Sequence, residues 1–466
     1  MRTKVSRRQK TCKKRRIEPR ERRQHQNRLQ GRIDEAAVEN SRQIVQAGLR
    51  EQVTESLGRA KGQRRDPEDQ TEVEASCNRC ATQYRARFYR AGSYKRGLLS
   101  FEAYITIAVP RVSCVCGGMV YFEFLDLVPY GRTWFNIEER SRELAGLCVS
   151  LRDGVEVLAW GSKQPLAIAT INKMVNETAR LAEAFHAGLL ERVPAVVMLD
   201  GVWLKLLCPT GEEYTDKKGR RRQRVKKRKF PLLVAYGVDP VSGQRWLLDW
   251  ERGRDEDEDS WRKLLERLLQ RGLDGERGLQ LVVHDGSKGL EKALDTVYLG
   301  DGVEYQRCIF HKLLNVRRDV VGEEAMTPNE LRERRKEVVA EAARVYDGES
   351  EAEVRQAQQG FCAKWREKEP GAVATLERGF ERTIIYLKVQ ERARCRGQEY
   401  SRECMRTTSP LERVQRHFRQ KARQVLIFHS EAGVAASIQL VIGHHHLTDP
   451  SGRHWARQLE EALLAA

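Results

Sequence analysis

The sequence predicts an α/β fold, and three observations predict it. Between residues 195 and 311, short apolar, β-branched runs alternate with helical periods in the order strand, strand, strand, helix, strand, helix, strand. Two of these runs, AVVMLDGVWLKLL at 195–207 and LQLVVHDGSKGL at 279–290, carry an aspartate where a central strand would bury it. From His311 to about Arg406 the pattern becomes almost wholly helical, with long Arg/Glu-rich periods.

A chain of 466 residues has room for about three units of ~100–200 residues each. Lys and Arg number 84 against 66 Asp and Glu, a net charge of +18 that points to a polyanionic partner, most simply nucleic acid. Residues 1–32 alone hold 14 basic and 2 acidic side chains. That segment either contacts phosphates without sequence preference or is a solvated tail. Eleven cysteines in so long a chain do not make a secreted disulfide framework, and no apolar signal segment follows the first residues, so the expected location is cytoplasmic with reduced thiols. No run reaches the ~18 apolar residues of a membrane span.

Taken in order, residues 1–72 form a basic, partly disordered arm with one helical stretch at 35–60. Residues 73–135 change to short β-like runs carrying Cys77, Cys80, Cys114 and Cys116, written CNRC, 33 residues, then CVCGG. Two close Cys pairs separated by β structure are the sequence form of a zinc ribbon, in which four thiolates close a structural Zn²⁺ site. The second pair has one intervening residue instead of two, and four ordinary thiols are the alternative. Residues 136–192 read as an apolar helix, a glycine-containing break and a second helix after Ser and Pro. That is compatible with helix-turn-helix DNA recognition, and equally with a helical linker packed on the α/β core.

Residues 193–440 hold the alternating segment. Strands are expected around Asp200, at 230–240 and at 244–253, with DPVSG a tight turn between the last two. A helix at about 260–270, the Asp285 strand, another helix and a strand ending EYQRCIFH come next. This is the order of an RNase H-like fold, and it would put the two aspartates side by side on neighbouring strands. DKKGRRRQRVKKRKF at 216–230 has ten basic residues, Lys226, Lys227, Arg228 and Lys229 among them, and reads as a hairpin loop riding on a phosphate backbone or as a solubilising loop. DEDED at 255–259 precedes a helix and suits its N-terminus, with a metal-ligand role as the alternative. The next acid of interest, Glu412, lies 127 residues beyond Asp285, too far for a simple connection, so a helical insertion of about 312–406 is expected. GHHHL at 443–447 is assigned to a loop or surface, and residues 441–466 to a C-terminal tail ending in a short amphipathic helix.

The chemistry follows from three acids. An unpaired carboxylate at Asp200 in an apolar strand is costly and calls for a cation. Asp285 sits where a strand gives way to Gly286, Ser287 and a helix. In TTSPLERVQRHFRQKAR at 407–423, Thr407, Thr408 and Ser409 offer N-caps, Pro410 suits a first turn, and Glu412 lies one turn in. Two strand aspartates and one helix glutamate are what a two-metal phosphoryl-transfer site requires, since Mg²⁺ or Mn²⁺ takes oxygen ligands. Arg413, Arg416, Arg419 and Arg423 share enough of that helix to clamp phosphates.

The order Asp200, Asp285, Glu412, with CIFH at 308–311 between the last two and TTSPLER around the glutamate, resembles mutator-type DDE transposases of bacterial insertion sequences over roughly residues 140–440. The resemblance implies a DNA-binding helical region before Asp200, the all-helical insertion, and a Cys-x-x-His signature beside the active site, where His311 contacts a scissile phosphate or positions DNA; a buried structural pair of Cys308 and His311 is the alternative. Where the family commonly has Asn, this chain has Ser409, which bears on local positioning and leaves the acid in place. The expected activity is binding of element ends in double-stranded DNA, metal-dependent cleavage and strand transfer, with at least a homodimer in the synaptic complex. The rival readings are a domesticated DNA-binding protein without cleavage and an RNase H-like nuclease without strand transfer.

Overall fold

The computed structural model describes residues 19–447 apart from 101, 102, 126, 128–130, 163, 165 and 299. The basic segment before residue 19 and the tail SGRHWARQLEEALLAA lie outside the described residues. The chain forms two compact units: residues 1–140 with 155–167, and residues 141–154 with 168–466.

The first unit contains α1 (Pro19–Leu57), β1 (Ser76–Cys77), β2 (Phe88–Leu99), β3 (Tyr104–Cys114) and β4 (Met119–Tyr121), in an antiparallel sheet of order β1-β4-β3-β2. In β3, Ile105, Ile107, Val109 and Val112 alternate inward, and Leu49, Val53 and Leu57 of α1 close on that face. The helix expected at 35–60 reaches back through the described residues to Pro19. Leu29 and Ile33 on the leading half of α1 remain exposed.

Between sheets run α2 (Phe135–Gly146), α3 (Leu151–Ser162), α4 (Ile168–Glu177) and α5 (Arg180–Ala187), four helices where the sequence pattern suggests two. The extra break after Gly146 has a local cause. Cys148 adopts φ +61, and the Ser150 hydroxyl accepts from Asp153 N at 3.1 Å, which starts a new helix.

The second unit is built on a five-stranded mixed sheet of order β7-β6-β5-β8-β9. Its elements are β5 (Val196–Thr215), β6 (Arg221–Val238), β7 (Arg245–Arg252), α6 (Glu258–Gln270), β8 (Leu281–His284), α7 (Lys288–Val297) and β9 (Glu304–Arg307). Then come α8 (Ile309–Arg318), α9 (Pro328–Arg344), α10 (Glu351–Trp365), α11 (Pro370–Glu377), α12 (Ile385–Cys395), α13 (Glu403–Arg406), α14 (Ser409–Val425) and α15 (Glu431–His444). β5 is antiparallel to β6 and parallel to β8, and β8 is parallel to β9. The strands are apolar at nearly every inner position because both faces are covered. Val197, Leu199, Leu233 and Ala235 pack on Trp261 and Leu264 of α6 and Leu290 and Leu294 of α7. Met198, Val202, Leu232 and Val234 share the other core with Leu411, Val414 and Phe418 of α14 and with the helices after β9.

Two expectations are corrected. The basic run at 221–229 is strand: it pairs with 205–215 of β5, so the β5–β6 hairpin continues beyond the sheet as a two-stranded ribbon turning at 216–220. Pairing with β5 sets this backbone, and its charges carry no periodicity that could announce it. GHHHL is only in part the expected loop: Gly443 and His444 end α15, His445 to Leu447 follow as a turn with His446 exposed, and the His445 ring stacks on His417 of α14 with centroids 3.6 Å apart. No helix among the described residues is long and apolar enough to cross a membrane.

Candidate active site

β5 and β8 run parallel with Leu199 opposite His284, and Asp200 and Asp285 each come one residue later. Both therefore sit where β8 ends, on adjacent strands. Side chains alternate along a strand, and Met198, Val202 and Val283 belong to the core under α14, so both aspartates face that side of the sheet. α14 lies against β5, with Leu411, Val414 and Phe418 buried, which brings the first turn and Glu412 over the same strand end.

A chain of hydrogen bonds joins the segments. Cys308 N donates to His284 O at 2.7 Å, fixing the start of α8 beside the residue before Asp285. The Cys308 thiol in turn accepts from Thr408 N at 3.3 Å and Thr408 Oγ1 at 3.4 Å, fixing the start of α14. One turn into α8, His311 Nε2 lies 3.8 Å from Glu412 Oε1. The Cys-x-x-His and Thr-Thr segments are thus neighbours, and His311 stands among the three acids, its Nδ1 buried without a hydrogen-bond partner.

The electrostatics reflect crowding of like charges. Burial, then the Asp285 charge, raises Asp200 to about 6, although His311, the Gly201 N–H at 2.9 Å and the Gln415 amide act the other way. The Cys308 sulfur, together with the Asp200 and Asp285 charges, outweighs burial and raises His311 to about 9. Burial disfavours ionisation of Cys308, yet the His311 beside it brings its pKa below the usual thiol range.

Three residues of the site carry no signal in the sequence pattern. Glu256 comes from the acidic run before α6; its neighbour Asp257 caps that helix, accepting from Ser260 N at 2.9 Å, but Glu256 turns back over β5. A Cβ on Gly201 would lie 2.5 Å from Glu256 Oε1, so the glycine makes room for that carboxyl. Burial and the Asp285 and Asp200 charges raise the Glu256 pKa. Gln415 is fully buried one turn beyond Glu412; its Oε1 accepts from Arg419 at 3.0 Å and its Nε2 makes no hydrogen bond, yet lies near enough to favour ionised Asp200. Arg307 ends β9 against Gly286, its Nε buried and unpartnered. Of the residues expected to meet phosphates, Arg413, Arg416, Arg419 and Arg423 are carried on α14, and Lys226, Lys227, Arg228 and Lys229 are exposed on the ribbon.

In the first unit, Cys77, Cys80, Cys114 and Cys116 gather with their sulfurs within 4.8 Å of one another, the only set of three or more such donors this close among the described residues. Cys77 and Cys116 are 3.4 Å apart, and Cys80 and Cys114 3.7 Å. A Cβ at Gly118 would fall 2.5 Å from Cys77 Sγ, so the second glycine of CVCGG is part of the cradle. Burial opposes ionisation of Cys77, but the N–H groups of Cys80 and Arg79 and the neighbouring thiols bring it to about 6. Four converging soft donors, one of them readily ionised, fit a tetrahedral zinc ion.

The family model described as "Transposase, Mutator family" matches residues 20–448. Curated relatives include the transposase for insertion sequence element IS905 of Lactococcus lactis subsp. lactis, 27% identical over 62% of this chain and 64% of the relative. The transposase for IS406 of Burkholderia multivorans is 29% identical over 42% of this chain and 45% of its own length. The transposase for ISRM5 of Rhizobium meliloti is 24% identical over 83% and 82%. The chain thus spans under two thirds of the first two relatives and most of the third. A solved structure titled "Drosophila P element transposase strand transfer complex" aligns over 68% of this chain and 81% of that one at 13% identity, with a TM-score of 0.28, too low to bear on the fold.

Proposed function

The chain belongs to the Mutator family of transposases, and on that premise we propose that it binds the ends of a DNA element and carries out DNA cleavage and strand transfer at Asp200, Asp285 and Glu412. The observation that carries this reading is the hydrogen-bonded series from His284 through Cys308 to Thr408, which ties the strand before Asp285 to the starts of α8 and α14, the helices that carry His311 and Glu412. An RNase H-like reading of residues 193–440, with the insertion at about 312–406, is supported by the strand order, in which three antiparallel strands, β7, β6 and β5, are continued beyond β5 by two parallel ones, β8 and β9. The other proposed parts are the basic arm at 1–72, a zinc-ribbon-like module at 73–135 with zinc on the four cysteines, a helical DNA-binding region at 136–192 and a tail at 441–466.

Asp200, Asp285 and Glu412 are the residues that would hold Mg²⁺ or Mn²⁺; a buried aspartate with a raised pKa beside a second aspartate is a donor set that gains from a hard cation. Bound there, the ions supply activation of the attacking oxygen and stabilisation of the leaving one in an in-line displacement. The chain's own residues do the rest. His311, raised to about 9 by the Cys308 sulfur and the bare Asp200 and Asp285 charges, faces the acids as a donor for a phosphate oxygen. Gln415 favours the ionised form of Asp200 against the burial that opposes it, and the arginines of α14 and basic residues of the ribbon hold the flanking backbone. The synaptic complex brings two element ends together and so contains at least a dimer.

The test is cleavage and joining of labelled DNA carrying the flanks of the coding region, with Mg²⁺ or Mn²⁺, for the wild type and for Asp200→Ala, Asp285→Ala and Glu412→Ala. Nicked and joined products that vanish in every variant while binding persists are expected. Nicks without joined products would make the protein a nuclease, and binding without cutting a DNA-binding protein.

A further inference from the structure

Beyond Asp200 the β5–β6 pair leaves the sheet, and its two faces are unlike. Val202, Leu204 and Leu206 turn into the core, while Gly201, Trp203 and Lys205 turn the other way, opposite Leu233, Pro231 and Lys229 of β6. Trp203 is 47% exposed although it lies only three residues from Asp200. Because β8 stops at His284, β5 has no strand neighbour on that edge until Phe428 pairs at Leu206, so this indole stands at an open edge, on the face of β5 opposite the one that carries Asp200. Glu256 ties the two together: its carboxyl feels the charges of Asp285 and Asp200, and Trp203 lies beside it as a donor.

Farther out, Lys205 and Lys229 are directly opposite each other in the ladder, and Lys227 comes next on the same face. Like charges facing across a strand pair destabilise it. Among the described residues no carboxylate pairs with any of the three, whereas Arg222 and Arg224 elsewhere on the ribbon do have acidic partners, Asp216 and Glu212. An uncompensated row of cations led by an exposed aromatic is complementary to a polyanion whose bases offer free faces. A paired duplex does not offer them, since each base face is already stacked.

We propose that this face of the ribbon, Trp203 followed by Lys205, Lys229 and Lys227, is the track for a single unpaired DNA strand at the acid site, with one base stacked on the Trp203 indole and the lysines on its phosphates. The inference rests on the transposase reading and adds to it that the terminal base pairs are opened for the strand to reach the acids.

The experiment uses the full chain in EDTA and two probes made from the DNA flanking its coding region: a blunt duplex, and a forked duplex of the same sequence with 2-aminopurine as its first unpaired base. The wild type is expected to prefer the fork and to quench the 2-aminopurine. Trp203→Ala should weaken fork binding about 5- to 100-fold, leave blunt-duplex binding unchanged and abolish the quench. Trp203→Phe should keep the quench, and Lys205→Gln with Lys229→Gln should lower the salt dependence of fork binding by about two phosphate contacts. Equal affinity of the wild type for both probes, or a quench that survives Trp203→Ala, would overturn the proposal. Cleavage is scored separately, so a wild type that binds and quenches but never cuts defeats the transposase reading and leaves the track standing.

Discussion

Asp200→Asn should stabilise the protein when no divalent cation is present. In the folded chain Asp200 keeps its proton up to about 6, whereas its ordinary value is 3.8. Burial and the neighbouring Asp285 charge are the reasons, and both act against the ionised form. For an acid whose folded pKa is raised, the folded state binds more protons than the unfolded one between the two values. Stability is therefore lost as pH rises from 3.8 to about 6, and the loss is complete above that. The gap corresponds to about 3 kcal/mol at neutral pH. Asparagine removes the charge and retains the oxygen that accepts from Gly201 N at 2.9 Å. Urea denaturation followed by tryptophan fluorescence in EDTA, at pH 5 and pH 7.5, measures the effect. The variant should exceed the wild type by about 2–3 kcal/mol at pH 7.5 and by about half as much at pH 5, and added Mg²⁺ should stabilise the wild type far more than the variant. A variant less stable than the wild type in EDTA at pH 7.5, or one that gains equally from Mg²⁺, would refute the claim that this acid is held for a cation.

Three further outcomes rest on contacts elsewhere in the fold. Asp249 of β7 is fully buried and accepts from Arg267 at 2.9 Å, Arg271 at 2.9 Å and His186 at 2.6 Å; Arg267 also pairs with Glu251, so Asp249→Ala leaves the buried Arg271 guanidinium without a carboxylate and should cost about 3–5 kcal/mol in urea denaturation; a loss under about 1 kcal/mol would contradict the burial. Thr408→Val deletes one of the two donors to the Cys308 thiol and should slow cleavage about tenfold with DNA affinity unchanged, whereas an unaltered rate would mean that the α8–α14 contact does not position Glu412. Cys77→Ser should abolish stoichiometric zinc, measured by metal analysis, and expose the 73–121 segment to protease; undiminished zinc content would assign the metal elsewhere.

Much of this site was legible because its parts obey strong local rules. An aspartate interrupting a β-branched run, a Gly-Ser after a second such run and a Thr-Thr-Ser-Pro helix start each declare their element, and close Cys pairs bounding a β-rich stretch declare a cluster. What escaped depends on distance in the chain. Glu256 lies in a run of five acids whose other members suit a helix start, and only the absence of a Cβ at Gly201 lets its carboxyl reach β5. Asp249 in LLDWERG reads as an ordinary strand residue because its partners come 18, 22 and 63 residues away. The ribbon escaped for a different reason: a run of charges has no inside and outside, and the pairing of 221–229 with β5 is what makes it a strand.

The contact between Cys308 and Thr408 has a topological side as well. The two residues are 100 positions apart and yet share a hydrogen bond, so α9 to α13 leave and re-enter the fold through a single doorway. A loop whose ends already meet can grow or shrink cheaply, since doubling its length adds only about 0.6 kcal/mol of closure entropy. Lengthening or trimming that excursion, or grafting a foreign sequence into it, would leave the doorway, and with it the spacing of Asp285 and Glu412, where it is.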